Sequence, residues 1–252
     1  MKICYFTATG NCLYVAKRIG GELLSIPQLM RHGQFEISDE AVGIVCPVYA
    51  VEMPMMVREF MSKVKIRTNY FFFIYTYGMG YAEAFAHADK VARASGRQID
   101  YINAIQMVDN YLPVFEMQDQ LDKLAAKNVE GQIEAVCRDI AERKHTEIKI
   151  TPKTEAEIAK YTEMLAIPIL RKDTAQSYIV NDQCIRCGIC AKVCPANNIT
   201  VTDKVYFSDH CEVCYACLHN CPQNALHMKT EQSSVRFRNE HIKLKDIIQA
   251  NQ

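Results

Sequence analysis

The 252-residue chain has no excess of either charge: 29 Lys and Arg balance 29 Asp and Glu. Binding to nucleic acid or to an anionic membrane therefore has no electrostatic support. No stretch reaches the ~18 uninterrupted apolar residues that a membrane span needs. The longest, 41–51, contains Pro47 and is broken by Glu52. The apolar run after Met1 is too short for a secretory leader, so a cytoplasmic protein is expected. No Gly/Ser-rich stretch offers a flexible tether, which favours a fixed arrangement of whatever units the chain contains.

Cysteine, by contrast, is abundant, and eight of the twelve cysteines fall in two copies of one pattern. The first runs Cys184, Cys187, Cys190, Cys194, Pro195, and the second runs Cys211, Cys214, Cys217, Cys221, Pro222. Each cysteine of the second lies 27 residues after its counterpart. This is the bacterial spacing for a pair of 4Fe–4S clusters. Thiolates at i, i+3 and i+6 on a tight loop reach three irons on one face of a cubane, and a fourth ligand must come from elsewhere. Structural zinc usually pairs two C-x-x-C knuckles across a longer gap, and disulfides do not suit a chain without secretory features. Each oxidised cluster would add a charge of about −2. Ile199 and Leu226, also 27 apart, are expected to pack a shared core. His210 and His219 read as solvated surface residues, or else as groups tuning the second cluster.

Residues 1–145 read as alternating strands and helices. Strands are expected at 2–6, 41–46, 70–75 and 101–108, with a weaker one near 35–37. Helices are expected from Cys12 to Gly20, from Pro54 to Val64, over 82–95 and over 119–144. Such alternation implies a parallel sheet covered on both faces. Ligands bind beyond the carboxyl ends of its strands. Three strand ends there carry unusual residues: Thr7-Ala8-Thr9-Gly10-Asn11-Cys12, Pro47-Val48-Tyr49-Ala50, and Thr76-Tyr77-Gly78-Met79-Gly80-Tyr81. Hydroxyls and N–H groups at a helix N-terminus cradle phosphate. Glycines allow close backbone approach, and tyrosines can stack on a ring.

The segment FTATGNCLYVA, Phe6 to Ala16, resembles the flavodoxin phosphate loop, and the cysteine runs are similar to those of bacterial two-cluster ferredoxins. Together they resemble flavodoxin–ferredoxin fusion proteins of anaerobic bacteria. The resemblance covers about residues 1–115 and 177–230 and implies an α/β, flavodoxin-like doubly wound parallel sheet and a small α+β two-cluster ferredoxin domain. The chain is then read as 1–145 flavodoxin-like, 146–176 a mostly helical linker with an apolar stripe, 177–230 ferredoxin and 231–252 a strand/helix extension. The resemblance implies FMN, its phosphate held by Thr7, Thr9, Asn11 and the backbone of Gly10 and Cys12. Tyr49 and Tyr77 would flank its ring, with Gly78 and Gly80 at the polar edge and Tyr111 at the rim. It also implies crossed cluster ligation. Cys184, Cys187, Cys190 and Cys221 would hold one cluster, and Cys211, Cys214, Cys217 and Cys194 the other.

Ala8 and Cys12 depart from the residues usual in that loop, and a lost hydroxyl at Cys12 costs about 1 kcal/mol. At a helix N-terminus the Cys12 thiol would have a lowered pKa, or it is simply a small residue beneath phosphate. Cys4, Cys46 and Cys137 fit inert core positions. The charges after the clusters read as solvated surface, with an edge strand over 235–238 and a closing helix over 242–250.

The leading function is electron transfer between the clusters and FMN, with other redox proteins as partners. A second is FMN-dependent reduction of a small molecule such as a quinone or nitroaromatic, and a third is a redox or iron sensor. If one chain holds its cofactors too far apart, a head-to-tail homodimer would bring them together.

Overall fold

The computed structural model describes residues 1–50, 52–81, 83–148, 156 and 174–252. Of the mostly helical linker expected at 146–176, residues 149–155 and 157–173 lie outside the described residues.

Two strands form the buried centre. Residues AVGIVCP make β4 (Ala41–Pro47) and YFFFIYTY make β6 (Tyr70–Tyr77), apolar almost throughout because both faces are covered. Around them lie β1 (Lys2–Tyr5), β2 (Glu22–Ser25) and β7 (Tyr101–Gln106). All pairings are parallel and the order is β2-β1-β4-β6-β7. Counted in chain order this is 2-1-3-4-5, the flavodoxin-like doubly wound sheet. A separate short pair joins β3 (Glu36–Ser38) and β5 (Lys65–Arg67). Gly43 sits opposite Phe72 in the register, and any side chain there would overlap the Phe72 ring.

The helices are α1 (Asn11–Ile19), α2 (Ile26–His32), α3 (Met55–Lys63), α4 (Ala84–Ala94), α5 (Met117–Asp122) and α6 (Val129–Ala141). They form two packed groups, α1 with α6, and α2 with α3 and α4. The β2–α2 unit was not anticipated. Its strand has only four residues at a sheet edge, and Pro27 masks the helix although it sits harmlessly in the first turn, where Ser25 Oγ caps Gln28 N–H. The single helix expected over 119–144 is instead broken. Asn128 adopts a left-handed φ of 47°, which asparagine tolerates, and a 3₁₀ turn at 125–127 separates α5 from α6.

The C-terminal part contains α7 (Thr174–Ser177), β8 (Tyr178–Val180), α8 (Ile189–Lys192), β9 (Ile199–Val201), β10 (Val205–Phe207), α9 (Ala216–His219), β11 (Leu226–Met228) and α10 (Leu244–Asn251). Antiparallel pairs β8–β11 and β9–β10 frame it. Ile199 and Leu226 share its core, with Val108, Leu112 and Met117 reaching in from the N-terminal part. Conversely, Val193, Ala216, Ile242 and Ile247 join the core of the large sheet. The two parts therefore share packing.

No strand forms at 235–238. Phe237 donates its N–H to His219 Nδ1. The Arg236 side chain, only 9% exposed, pairs with Glu231 and donates to Leu226 O. The alternation reflected one buried ring and one buried ion pair, not a sheet edge.

Candidate cofactor sites

A cavity of about 400 Å³ opens beyond the carboxyl ends of β1, β4, β6 and β7, within the size range of small-molecule sites. Thr7, Ala8, Thr9, Asn11, Cys12, Pro47, Val48, Tyr49, Thr76, Tyr77, Gly78 and Gly80 line it, and Tyr111 lies on its wall. Gly10 does not line it. It turns at φ 105°, which favours glycine, and a β-carbon there would crowd Asn239 and Ile242 at 3.0 Å.

The first loop is shaped from behind. Thr7 Oγ1 accepts the Gly10 N–H at 3.2 Å. Three successive loop carbonyls are satisfied by C-terminal asparagines: Thr7 O by Asn251 Nδ2 (3.3 Å), Ala8 O by Asn220 Nδ2 (3.3 Å) and Thr9 O by Asn239 N (2.8 Å). With the carbonyls turned away, the start of α1 presents N–H groups that have no partner within the helix. It carries no side-chain cap and no acidic residue in its first turn, which suits an anion. The Asn11 amide is already engaged, donating to Val108 O and accepting from Asn239 Nδ2. Thr9 Oγ1 accepts from Asn110 Nδ2 at 2.6 Å, which leaves its hydroxyl proton to donate.

Of the two readings of Cys12, the lowered thiol pKa does not hold. Its sulfur lies 3.1 Å from Thr76 Oγ1, and burial pushes the thiol up to about 12 despite the helix N-terminus. It is a small buried wall residue. Cys4 and Cys46 are fully buried, and Cys137 is half-buried.

Sequence reasoning missed several wall residues. Asp109 accepts the Met79 N–H (3.1 Å) and the Tyr111 N–H (3.2 Å), and burial raises its carboxyl. It locks the β6 loop to the β7 loop, and no local pattern announces it. Met53, Pro54 and Met55 come from the entry to α3. Most consequential are Glu212, Val213, Cys214 and Tyr215, which belong to the second cysteine run yet line this cavity. Glu212 Oε2 accepts the Met56 N–H at 3.1 Å, which ties that run to the start of α3.

The eight run cysteines form two quartets around two smaller cavities. Cys184, Cys187, Cys190 and Cys221 line one, and Cys194, Cys211, Cys214 and Cys217 line the other. Each run thus contributes its last cysteine to the other quartet. Among the described residues no three His, Cys, Asp or Glu groups converge as a single-ion site requires. Burial pushes the Cys214 and Cys217 thiols well above the usual range. Thiolates there need a cationic centre beside them, and an iron–sulfur core supplies one. Backbone N–H groups of Asn198, Ala225 and Val213 donate to the sulfurs of Cys194, Cys221 and Cys211, each at 3.3 Å.

His219 is not at the surface, and neither of its ring nitrogens bonds a sulfur. It is 4% exposed and both ring nitrogens are used: Nδ1 accepts from Phe237 and Nε2–H donates to Asn110 O at 2.9 Å. Burial lowers its pKa to about 4. His210 is half exposed.

Comparison with known proteins fits this geometry. Residues 177–200 match the family of 4Fe–4S binding domains. A ferredoxin of Acetoanaerobium sticklandii is 48% identical over 33 residues, covering 13% of this chain and 59% of that one. The chain thus spans 59% of the length of this relative. Among solved structures, the two-electron-reduced flavodoxin of Megasphaera elsdenii aligns with a TM-score of 0.31 at 15% identity, over 41% of this chain and 83% of that one. A flavodoxin from the domain Archaea gives 0.32 at 15% identity, over 55% and 99%. The flavodoxin-like assignment rests on the strand order, and the iron–sulfur assignment on the matched segment. The C-terminal part is a ferredoxin-type segment joined to a flavodoxin-like sheet.

The asparagine buttress gives a direct test. Asn251 is 1% exposed and its amide satisfies both Thr7 O and Val193 O. Asn251→Ala is expected to destabilise the fold by about 2 kcal/mol, because two buried carbonyls lose their donor. A urea unfolding midpoint equal to wild type would contradict this.

Proposed function

We propose that the chain is an electron-transfer protein that moves single electrons between two 4Fe–4S clusters and one FMN. The supporting observation is the Glu212–Tyr215 loop. It carries Cys214 of the buried quartet and is also a wall of the large cavity. FMN, when bound, supplies chemistry that takes two electrons together and releases them singly. The chain's residues hold its phosphate at α1, border its ring with Tyr49 and Tyr77, and keep water from the buried quartet.

The quartets differ in exposure in a way that orders them. All four sulfur residues of the flavin-side quartet are buried, whereas Cys187 is exposed and Cys184 and Cys221 are half-buried. Ile185 beside them is 62% exposed. Redox-protein partners would meet the outer quartet, and electrons would pass through the inner one to or from the flavin. The two sites adjoin within one chain, so the geometry does not call for a head-to-tail dimer. Among the described residues no helix is long and apolar enough to cross a membrane. A cytoplasmic location belongs to the same proposal.

A second reading, reduction of a small apolar acceptor at the flavin, is favoured by one feature. Met79 (75% exposed) and Val114 (55% exposed) form an open apolar rim on the same cavity. Acceptor-dependent flavin reoxidation in anaerobic protein would select it.

The deciding experiment is flash photoreduction of the anaerobic holoprotein. Flavin–cluster exchange is expected to be first order and independent of protein concentration. Exchange that scales with concentration, or no exchange, would overturn the proposal.

A further inference from the structure

The two cysteine runs repeat not only in sequence but in backbone strain. Arg186 (φ 55°) and Val213 (φ 52°) are 27 residues apart, as are Gly188 (φ 75°) and Tyr215 (φ 56°), and Asn197 (φ 52°) and Asn224 (φ 47°). All six are left-handed, so both copies trace the same path around their cysteines. Asparagine and glycine adopt this region readily. A β-branched or bulky residue there is an outlier that persists only when its surroundings hold it.

The copies differ in what occupies the strained positions. In the first copy, Arg186 is exposed and reaches over to Asp203 O at 3.1 Å. At Gly188 a β-carbon would meet nothing within 4 Å, so glycine is there for its φ and not for lack of space. In the second copy the same backbone carries valine and tyrosine. Both line the large cavity, and Tyr215 is 3% exposed with its ring 5.7 Å from Tyr111, another wall residue. Large apolar side chains thus stand at strained positions only in the copy that faces the cavity.

We infer that Val213 and Tyr215 are flavin-contact residues, so that the cluster-binding loop is itself a wall of the flavin site. This rests on the FMN reading above and extends it to residues outside the flavodoxin-like sheet. The ligand they suit is a flat aromatic ring system, met by Val213 directly and bordered by the Tyr111–Tyr215 pair. Cys214, between them, is then both a ligand of the inner quartet and a wall of the flavin site.

The test uses full-length protein with its clusters intact, freed of flavin and titrated anaerobically with FMN. Val213→Gly is expected to bind FMN roughly tenfold more weakly, as when the apolar contact of one valine is lost. Its cluster absorption should persist to at least the wild-type temperature, because glycine relieves the left-handed strain. Tyr215→Leu, which keeps an apolar side chain but removes the ring, should also weaken FMN, with clusters unchanged. Wild-type affinity in Val213→Gly would overturn the inference. If that variant sheds its clusters as well, unchanged affinity in Tyr215→Leu overturns it instead. Wild-type protein that takes up no FMN would remove the flavin reading itself, a result seen before any substitution is made.

Discussion

Cys194→Ser is expected to abolish the inner iron–sulfur centre, although Cys194 belongs to the first cysteine run. Its sulfur shares a cavity with Cys211, Cys214 and Cys217, whereas Cys221 of the second run shares one with Cys184, Cys187 and Cys190. The variant should lose about half of its iron, as expected when one of two four-iron clusters is lost. Because the inner quartet adjoins the flavin cavity, flavin–cluster exchange should fall by more than the 10–100-fold typical of losing an outer-shell partner. Cys221→Ser should also lose about half of the iron but leave the inner cluster beside the flavin. Double substitutions settle the crossing. Cys194→Ser with Cys211→Ser should cost no more iron than either alone, while Cys194→Ser with Cys184→Ser should strip both clusters. The reverse pattern would show that each run ligates its own cluster.

The two cysteine runs were legible because ligand spacing is local chemistry, read by counting residues, whereas their crossing came only from the resemblance to two-cluster ferredoxins. The central strands were legible as well. Residues 41–47 and 70–77 are apolar throughout because helices cover both faces of the sheet. The place of the first loop, at a helix start beyond the carboxyl end of β1, was legible from the strand–turn–helix pattern. What stayed hidden depended on partners distant in the chain. Asn251 lies 244 residues from the carbonyl it satisfies, and His219 lies 109 from Asn110. Arg236 and His219 are polar types whose burial rests wholly on tertiary partners. Cys12 had the right helix position for a lowered pKa, but burial outweighed it. One hidden feature did leave a trace. Aligning the two runs sets Val213 against Arg186 and Tyr215 against Gly188, a change from polar or absent side chains to apolar ones. Both side chains line the large cavity and also pack in the core of the C-terminal part.

Gly78→Ala is expected to disrupt the flavin site most severely of all single substitutions within the sheet loops. A β-carbon at Gly78 would overlap the β-carbon and carboxyl of Asp109. Asp109 has little freedom to yield, since its two oxygens accept the N–H groups of Met79 and Tyr111. Gly78 is held as well, its carbonyl accepting from Gln106 Nε2 at 3.0 Å. The methyl must therefore displace the loop after β6 or the loop after β7, and both are walls of the cavity. Forced packing of this kind costs about 1–3 kcal/mol of stability. A displacement of about 1 Å can cost on the order of 100-fold where a ligand must be held in place. FMN affinity should fall by roughly that factor, with cluster absorption retained. Asp109→Gly separates crowding from loss of a contact. Alone it should weaken FMN, because the Met79 and Tyr111 N–H groups lose their shared acceptor. Combined with Gly78→Ala it should restore affinity above that of Gly78→Ala, since the overlap is gone, a coupling that a double-mutant cycle reads directly. Additive losses in the double variant would mean that the loops give way independently and that Asp109 is not the group that requires glycine at position 78.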